Sequence, residues 1–136
     1  LPSGAPDLPE FLKTGRVDIL QIFSQTPERE SYADFSVPIL RLQGAVFVAS
    51  ARHADLRTID DLRGRTMAIV GRGSIGLQFI RDRRLDMRIE YAPSPETALR
   101  WVAEGRCDAT FLSRLTALSV IKRRDLRGLR TLGEPL

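Results

Sequence analysis

Apolar positions first recur at helical spacing over Asp7 to Lys13, where Leu8, Phe11 and Leu12 share a side and Gly15 stands where a C-terminal cap would. Val17 to Phe23 then reads as a strand. Thr26-Pro27-Glu28-Arg29-Glu30 reads as the first turn of a helix, with Thr26 as N-cap and Pro27 at the first helical position. The continuous apolar run from Ala45 to Ser50 predicts a buried strand. From Thr58 the pattern becomes regular: a capped turn to Leu62 stopped by Gly64, a strand from Thr66 to Val70, an amphipathic helix from Ile75 to Arg84, and a strand from Arg88 to Tyr91. Ser94 caps a helix that starts at Pro95 and stops at Gly105. A strand over Cys107 to Leu112, a helix over Leu115 to Arg123 and a short strand over Leu129 to Leu132 complete the series. Strands alternating with helices predict an α/β domain with a mostly parallel sheet covered on both faces.

The size and composition narrow this picture. At 136 residues and 15.2 kDa the chain is one ordinary domain, with 43% hydrophobic and 28% charged residues, which excludes disordered and fibrous readings. Apolar runs such as Ala45-Val46-Phe47-Val48-Ala49 fall far short of the roughly 20 residues of a membrane-spanning helix. The chain opens at Leu1 without a methionine or a targeting pattern, as expected of a processed product or an excised piece. The net charge of +4 is almost all arginine, with Lys13 and Lys122 the only lysines. The arginines are dispersed, and the one dense run, Lys122-Arg123-Arg124, has no interleaved aromatics to stack bases, which argues against a nucleic-acid partner. Cys107, the single cysteine, reads as a small buried strand residue, so neither a disulfide nor a cysteine-based zinc site is expected. His53, the single histidine, is expected on an exposed polar loop, and without a second histidine neither a metal site nor a catalytic triad is expected. Trp101 is expected in the core.

Two groups of residues suggest chemistry. Gly71-Arg72-Gly73-Ser74-Ile75-Gly76 is a G-x-G-x-x-G between a strand and a helix, with Glu90 at the end of the next strand. It fits a dinucleotide-binding turn, as in a dehydrogenase fragment, or simply a tight strand-to-helix connection; the second is preferred because no further parts of such an enzyme are found. Ser24, Thr26 and Arg29 form the other group. A guanidinium in the first turn of a helix opposes the dipole preference for anions there, so Arg29 either awaits an external carboxylate or pairs with Glu28, Glu30 or Asp34.

Several ordered motifs carry a resemblance. Gly15-Arg16-Val17-Asp18-Ile19-Leu20, Thr26-Pro27-Glu28-Arg29-Glu30, Ala33-Asp34-Phe35-Ser36-Val37-Pro38, Ile59-Asp60-Asp61-Leu62-Arg63-Gly64-Arg65, Gly73-Ser74 and Ala98-Leu99-Arg100-Trp101-Val102-Ala103-Glu104-Gly105-Arg106-Cys107-Asp108-Ala109 resemble bacterial extracellular solute-binding proteins of family 3, the amino-acid type. The resemblance spans about residues 8 to 134. It implies a type 2 periplasmic-binding-protein, or Venus-flytrap, fold present in part: residues 1–46 as part of lobe one, 47–50 as a hinge-crossing strand and 51–136 as lobe two.

It further implies that Arg29, flanked by Ser24 and Thr26, clamps a ligand carboxylate, and that Gly73, Ser74 and Ile75 supply donors from a helix N-terminus. Where many members place an aspartate for the ligand's ammonium this chain has Ser113, which counts against an α-amino acid ligand. The stretch Phe111 to Leu132 is similar to flytrap domains fused to sensor histidine kinases and diguanylate cyclases. The function implied is thus a periplasmic, non-enzymatic sensory input domain without cofactor or metal. It would bind a small anionic or carboxylate-bearing solute and act on a membrane signalling partner. The alternatives are the binding protein of an amino-acid-type ABC importer and, further off, a periplasmic dehydratase or a dehydrogenase fragment.

Overall fold

The computed structural model describes residues 7–21, 23–72 and 74–133. Two compact units divide between Arg41 and Leu42.

The first unit contains two short helices. In α1 (Leu8–Lys13) the Asp7 side chain accepts from the Glu10 amide at 3.1 Å, and Gly15 follows the C-cap in the left-handed conformation. In α2 (Pro27–Glu30) Thr26 is the N-cap and Pro27 the first residue, as its sequence predicts. The expected strand over Val17 to Phe23 is corrected: among the described residues of this stretch none is in a strand, Ile19 is 85% exposed, and Ile22 lies outside the described residues. A strand is realised only when a neighbouring edge pairs its N–H and C=O groups, and the described residues of this unit contain no other strand. No described residue from 7 to 41 is fully buried.

The second unit is built on a five-stranded sheet. Its elements are β1 (Gly44–Ala49), a 3₁₀ turn (Ile59–Leu62), β2 (Thr66–Val70), α3 (Ile75–Asp82), β3 (Arg88–Ala92), α4 (Pro95–Glu104), β4 (Ala109–Ser113), α5 (Arg114–Arg124) and β5 (Leu129–Leu132). The strand order is β3-β2-β4-β1-β5. β2 runs parallel to β3 and β4, whereas β1 is antiparallel to both β4 and β5. The sheet is therefore mixed rather than mostly parallel. β2 connects to β3 through α3, β3 crosses past β2 to β4 through α4, and the β4 to β5 connection through α5 brings the chain to the far side of β1.

Alternate strand residues point to opposite faces, and both faces are covered. Val46, Val48, Met67, Ile69, Ala109 and Leu132 pack with Ile80 of α3. On the other face Ala45, Phe47, Ala49, Ala68 and Ala92 meet Leu99 and Val102 of α4 and Ala117 and Val120 of α5. Burying one such large side chain contributes roughly 1.5 to 3 kcal/mol. Thr110, fully buried in the central β4, satisfies its hydroxyl by donating to the Ala68 carbonyl at 2.9 Å.

Local signals set the ends of the helices. Ser94 Oγ accepts from the Thr97 amide at 3.1 Å to start α4, and Gly105 ends it at φ +82, where a side chain would be strained and would meet the guanidinium of Arg52. At the 3₁₀ turn Asp61 Oδ2 accepts from the amides of Thr58 at 2.8 Å and Arg57 at 2.9 Å, and these bonds hold the Asp61 carboxyl below its usual value.

Two further expectations are corrected here. Cys107 is buried, but it precedes β4 instead of lying in it. His53 is buried at 7% exposure, its Nε2 3.1 Å from Asp108 Oδ1. The other Asp108 oxygen accepts from the Thr66 amide at 2.8 Å, and Arg130 donates to the carbonyls of His53 and Leu56, both at 2.8 Å. The cluster ties the segment after β1 to the starts of β2 and β4 and to β5.

Candidate functional site

In the first unit three of the expected site residues come together. Thr26 Oγ1 accepts from the Arg29 amide at 3.3 Å, and Arg29 donates from its guanidinium to the Ser24 carbonyl at 2.9 Å. The guanidinium lies over the Phe23 ring, 4.2 Å from its centroid, and Phe23 is stacked on Phe35 with centroids 6.0 Å apart. Arg29 is thus half-buried and held on an aromatic platform. Preordering of this kind lowers the side-chain entropy lost when a planar carboxylate binds a guanidinium in bidentate fashion. Phe23 and Phe35 were not singled out from the sequence, although their aromatic spacing around Arg29 was available as a signal.

In the second unit Ser74 lies four residues after β2 and Ser113 is the last residue of the adjacent parallel strand β4, and the two occupy the N-cap positions of α3 and α5. Neither makes the side-chain hydrogen bond that an N-cap serine ordinarily makes. Both hydroxyl oxygens are buried and have no hydrogen-bond partner among the described residues. An orphaned buried hydroxyl costs free energy of order 1 to 3 kcal/mol, so two of them at the carboxyl end of the parallel strands call for an explanation. Ile75 opens α3 at 41% exposure, and Gly73 lies outside the described residues.

The surroundings of these serines are rich in donors and cations. The first turns of α3 and α5 contain no acid, Arg114 opens α5, and Arg72 lies over Tyr91 at the end of β3, 4.7 Å from the ring centroid. Ligands of open α/β sheets bind outside the carboxyl ends of parallel strands, where these serines lie. Gly76 explains the glycine spacing structurally: a Cβ there would come within 2.7 Å of Ile69 Cδ1 and 3.5 Å of Phe111 Cβ, so the glycine lets α3 pack close to the sheet. Glu90, the acid of the dinucleotide pattern, is engaged with Arg106 at 3.0 Å, and Arg106 in turn lies over the half-buried Trp101, 3.7 Å from its ring.

Away from these serines, burial with a smaller contribution from Glu90 pushes the Cys107 thiol up to about 11, which makes it a poor nucleophile. Among the described residues no group of three or more His, Cys, Asp and Glu side chains could hold a metal ion. None of their helices is long and apolar enough to cross a membrane.

No protein-family model matches the chain. It is 34% identical over 126 residues to a putative amino-acid ABC transporter-binding protein, PatH, of Vibrio harveyi, covering 92% of this chain and 50% of that protein. It is 30% identical over 112 residues to the virulence sensor protein BvgS of Bordetella bronchiseptica, covering 82% of this chain and 9% of the sensor. Among solved structures, a histidine kinase sensor domain with similarity to periplasmic binding proteins superposes with a TM-score of 0.79 at 28% identity, covering 96% of this chain and 56% of that one. The chain therefore carries part of a periplasmic-binding-protein fold and is similar over most of its length to a binding protein of the amino-acid type. The proteins it resembles thus include both a transporter-binding protein and sensors, and it spans about half the length of the transporter-binding relative.

Proposed function

We propose that this chain is part of an extracytoplasmic solute-binding domain serving as the sensory input of a transmembrane signalling protein, and that its solute carries a carboxylate. The two orphaned hydroxyls, Ser74 and Ser113, at the carboxyl ends of β2 and β4 are the observation that supports this reading most. Within the other unit, Arg29, set on Phe23 and Ser24, is by itself a cation of the right geometry for a carboxylate. A solute with higher affinity for a closed form than for an open one shifts the population by that difference, which is the signal a membrane partner reads. In this reading the role is binding rather than catalysis and the domain works on the periplasmic side, which the likeness to binding proteins and a sensor domain supports. The match to PatH favours a second reading, an ABC importer's binding protein.

Calorimetry on the complete domain of the parent protein, with a panel of carboxylates, amino acids and neutral sugars, tests the proposal. Arg29→Ala removes a charge-assisted contact of roughly 1.5 to 3 kcal/mol and is expected to weaken carboxylate binding by about one to two decades. Arg29→Lys keeps the charge but loses the planar fork, and is expected to recover only part of that loss. Binding confined to neutral sugars, or affinity unchanged by Arg29→Ala, refutes the carboxylate reading. Solute-dependent kinase or cyclase output from the parent protein separates a sensor from an importer component.

A further inference from the structure

Helix α5 has an outer face that the fold does not use. Ala117 and Val120 are its buried residues, with Ile121 packed beside them. At about 100° per residue, Leu115, Leu118, Ser119 and Lys122 fall on the opposite side. Leu115 is 68% exposed and Leu118 47%. Next to them the charge is strongly one-sided: residues 114–130 contain Arg114, Lys122, Arg123, Arg124, Arg127 and Arg130 against Asp125 alone, a balance of six minus one, or +5. Arg124 is paired with Glu96, Arg127 with Asp125, and Arg130 is bonded to backbone carbonyls. Arg114, Lys122 and Arg123 are exposed, and among the described residues no carboxylate pairs with them.

We infer that this face of α5 docks a protein partner presenting an apolar socket for Leu115 and Leu118 beside a cluster of carboxylates for Lys122 and Arg123. Two leucines ringed by cations form an anchor and a polar rim, the anatomy of a protein interface, in which charge complementarity sets register and partner choice. A second copy of the chain fits poorly, because two faces of this charge repel. A membrane surface fits poorly too: a helix lying in a lipid interface carries an apolar stripe along its length, whereas on α5 the two exposed leucines both lie in the first half and Lys122 continues their face. The inference stands apart from the choice of solute, since it uses no site residue. It nevertheless connects to the site, because Ser113 caps the helix that would carry the partner.

The test is site-specific photocrosslinking in the full-length parent protein in its own membrane, with p-benzoylphenylalanine placed at position 115 or 118 and, as a control, at the exposed position 84. The expected result is a crosslink from 115 and 118, absent from 84, to one identified peptide rich in Asp and Glu. Its yield is expected to fall at least about tenfold with Lys122→Glu plus Arg123→Glu, and similarly in about 0.5 M salt. The thermal melt of the double variant is expected to stay close to that of the parent, since both residues are exposed. Crosslinks to lipid, to α5 of a second copy or to another part of the same domain overturn the inference. So do a yield indifferent to charge reversal and the lack of any crosslink from both positions.

Discussion

Replacing Asp108 by alanine deletes two contacts at once, because its carboxylate joins the Thr66 amide at 2.8 Å to His53 Nε2 at 3.1 Å. The bond to Thr66 closes the start of β2 against the start of β4, and a hydrogen bond to a charged acceptor contributes roughly 1.5 to 3 kcal/mol. The Asp108 side chain is 30% exposed, so water replaces part of that contribution, whereas the His53 side chain at 9% exposure has little access to water once its partner is gone. The sum is about 2 to 4 kcal/mol for Asp108→Ala and about half that for Asp108→Asn, which keeps one acceptor oxygen. Urea unfolding followed by far-UV circular dichroism reads this as a lower midpoint at unchanged slope. In a double-mutant cycle with His53→Ala, the coupling should reach about 1 kcal/mol. A loss below about 0.5 kcal/mol for Asp108→Ala, or strict additivity with His53→Ala, would refute the reasoning.

Asp61 should shape the acid limb of stability: its carboxyl is held low in the folded chain by the Thr58 and Arg57 amides, so the unfolded chain takes up the proton first as pH falls. Its contribution is therefore complete above the ordinary aspartate value and is lost as pH drops through the lowered folded value; urea midpoints between about pH 6 and pH 2 should fall less steeply in Asp61→Asn than in the parent. The Cys107 thiol, pushed up to about 11, should stay unlabelled by a thiol reagent at about pH 8 in the native chain and react fully in denaturant; fast native labelling would show that the burial is wrong.

What was legible in the sequence was local. Thr26-Pro27, Ser94-Pro95 and Gly105 mark helix ends because capping involves neighbours three or four residues away, and each is found where it was expected. Val17 to Phe23 has the composition of a strand, yet a strand is a property of two segments, and its residues find no partner among those described. The antiparallel pairing of β1 with β4 was equally hidden, since alternation along a segment reports a buried face and says nothing of which edge it will join. His53 looked like a loop residue because its carboxylate stands far down the chain, at Asp108. The candidate site divides in the same way. The resemblance suggests Ser74 and Ser113, but only the structure shows that their hydroxyls are buried and orphaned, and that Phe23 and Phe35 support Arg29.

The position of β1 in the sheet has a consequence for how the chain is made. Although it comes before the sheet's other strands in the sequence, its two neighbours are β4 and β5, both drawn from beyond residue 108. During translation Ala45 to Ala49 must leave the ribosome as an unpaired apolar segment and wait for about sixty further residues before a partner emerges, while β2 and β3 can already pair. That interval exposes a short, uncharged, strand-prone stretch of the kind that seeds aggregation. Any truncation that removes β4 and β5 leaves the same stretch with no edge to join, however intact the rest of the sequence remains.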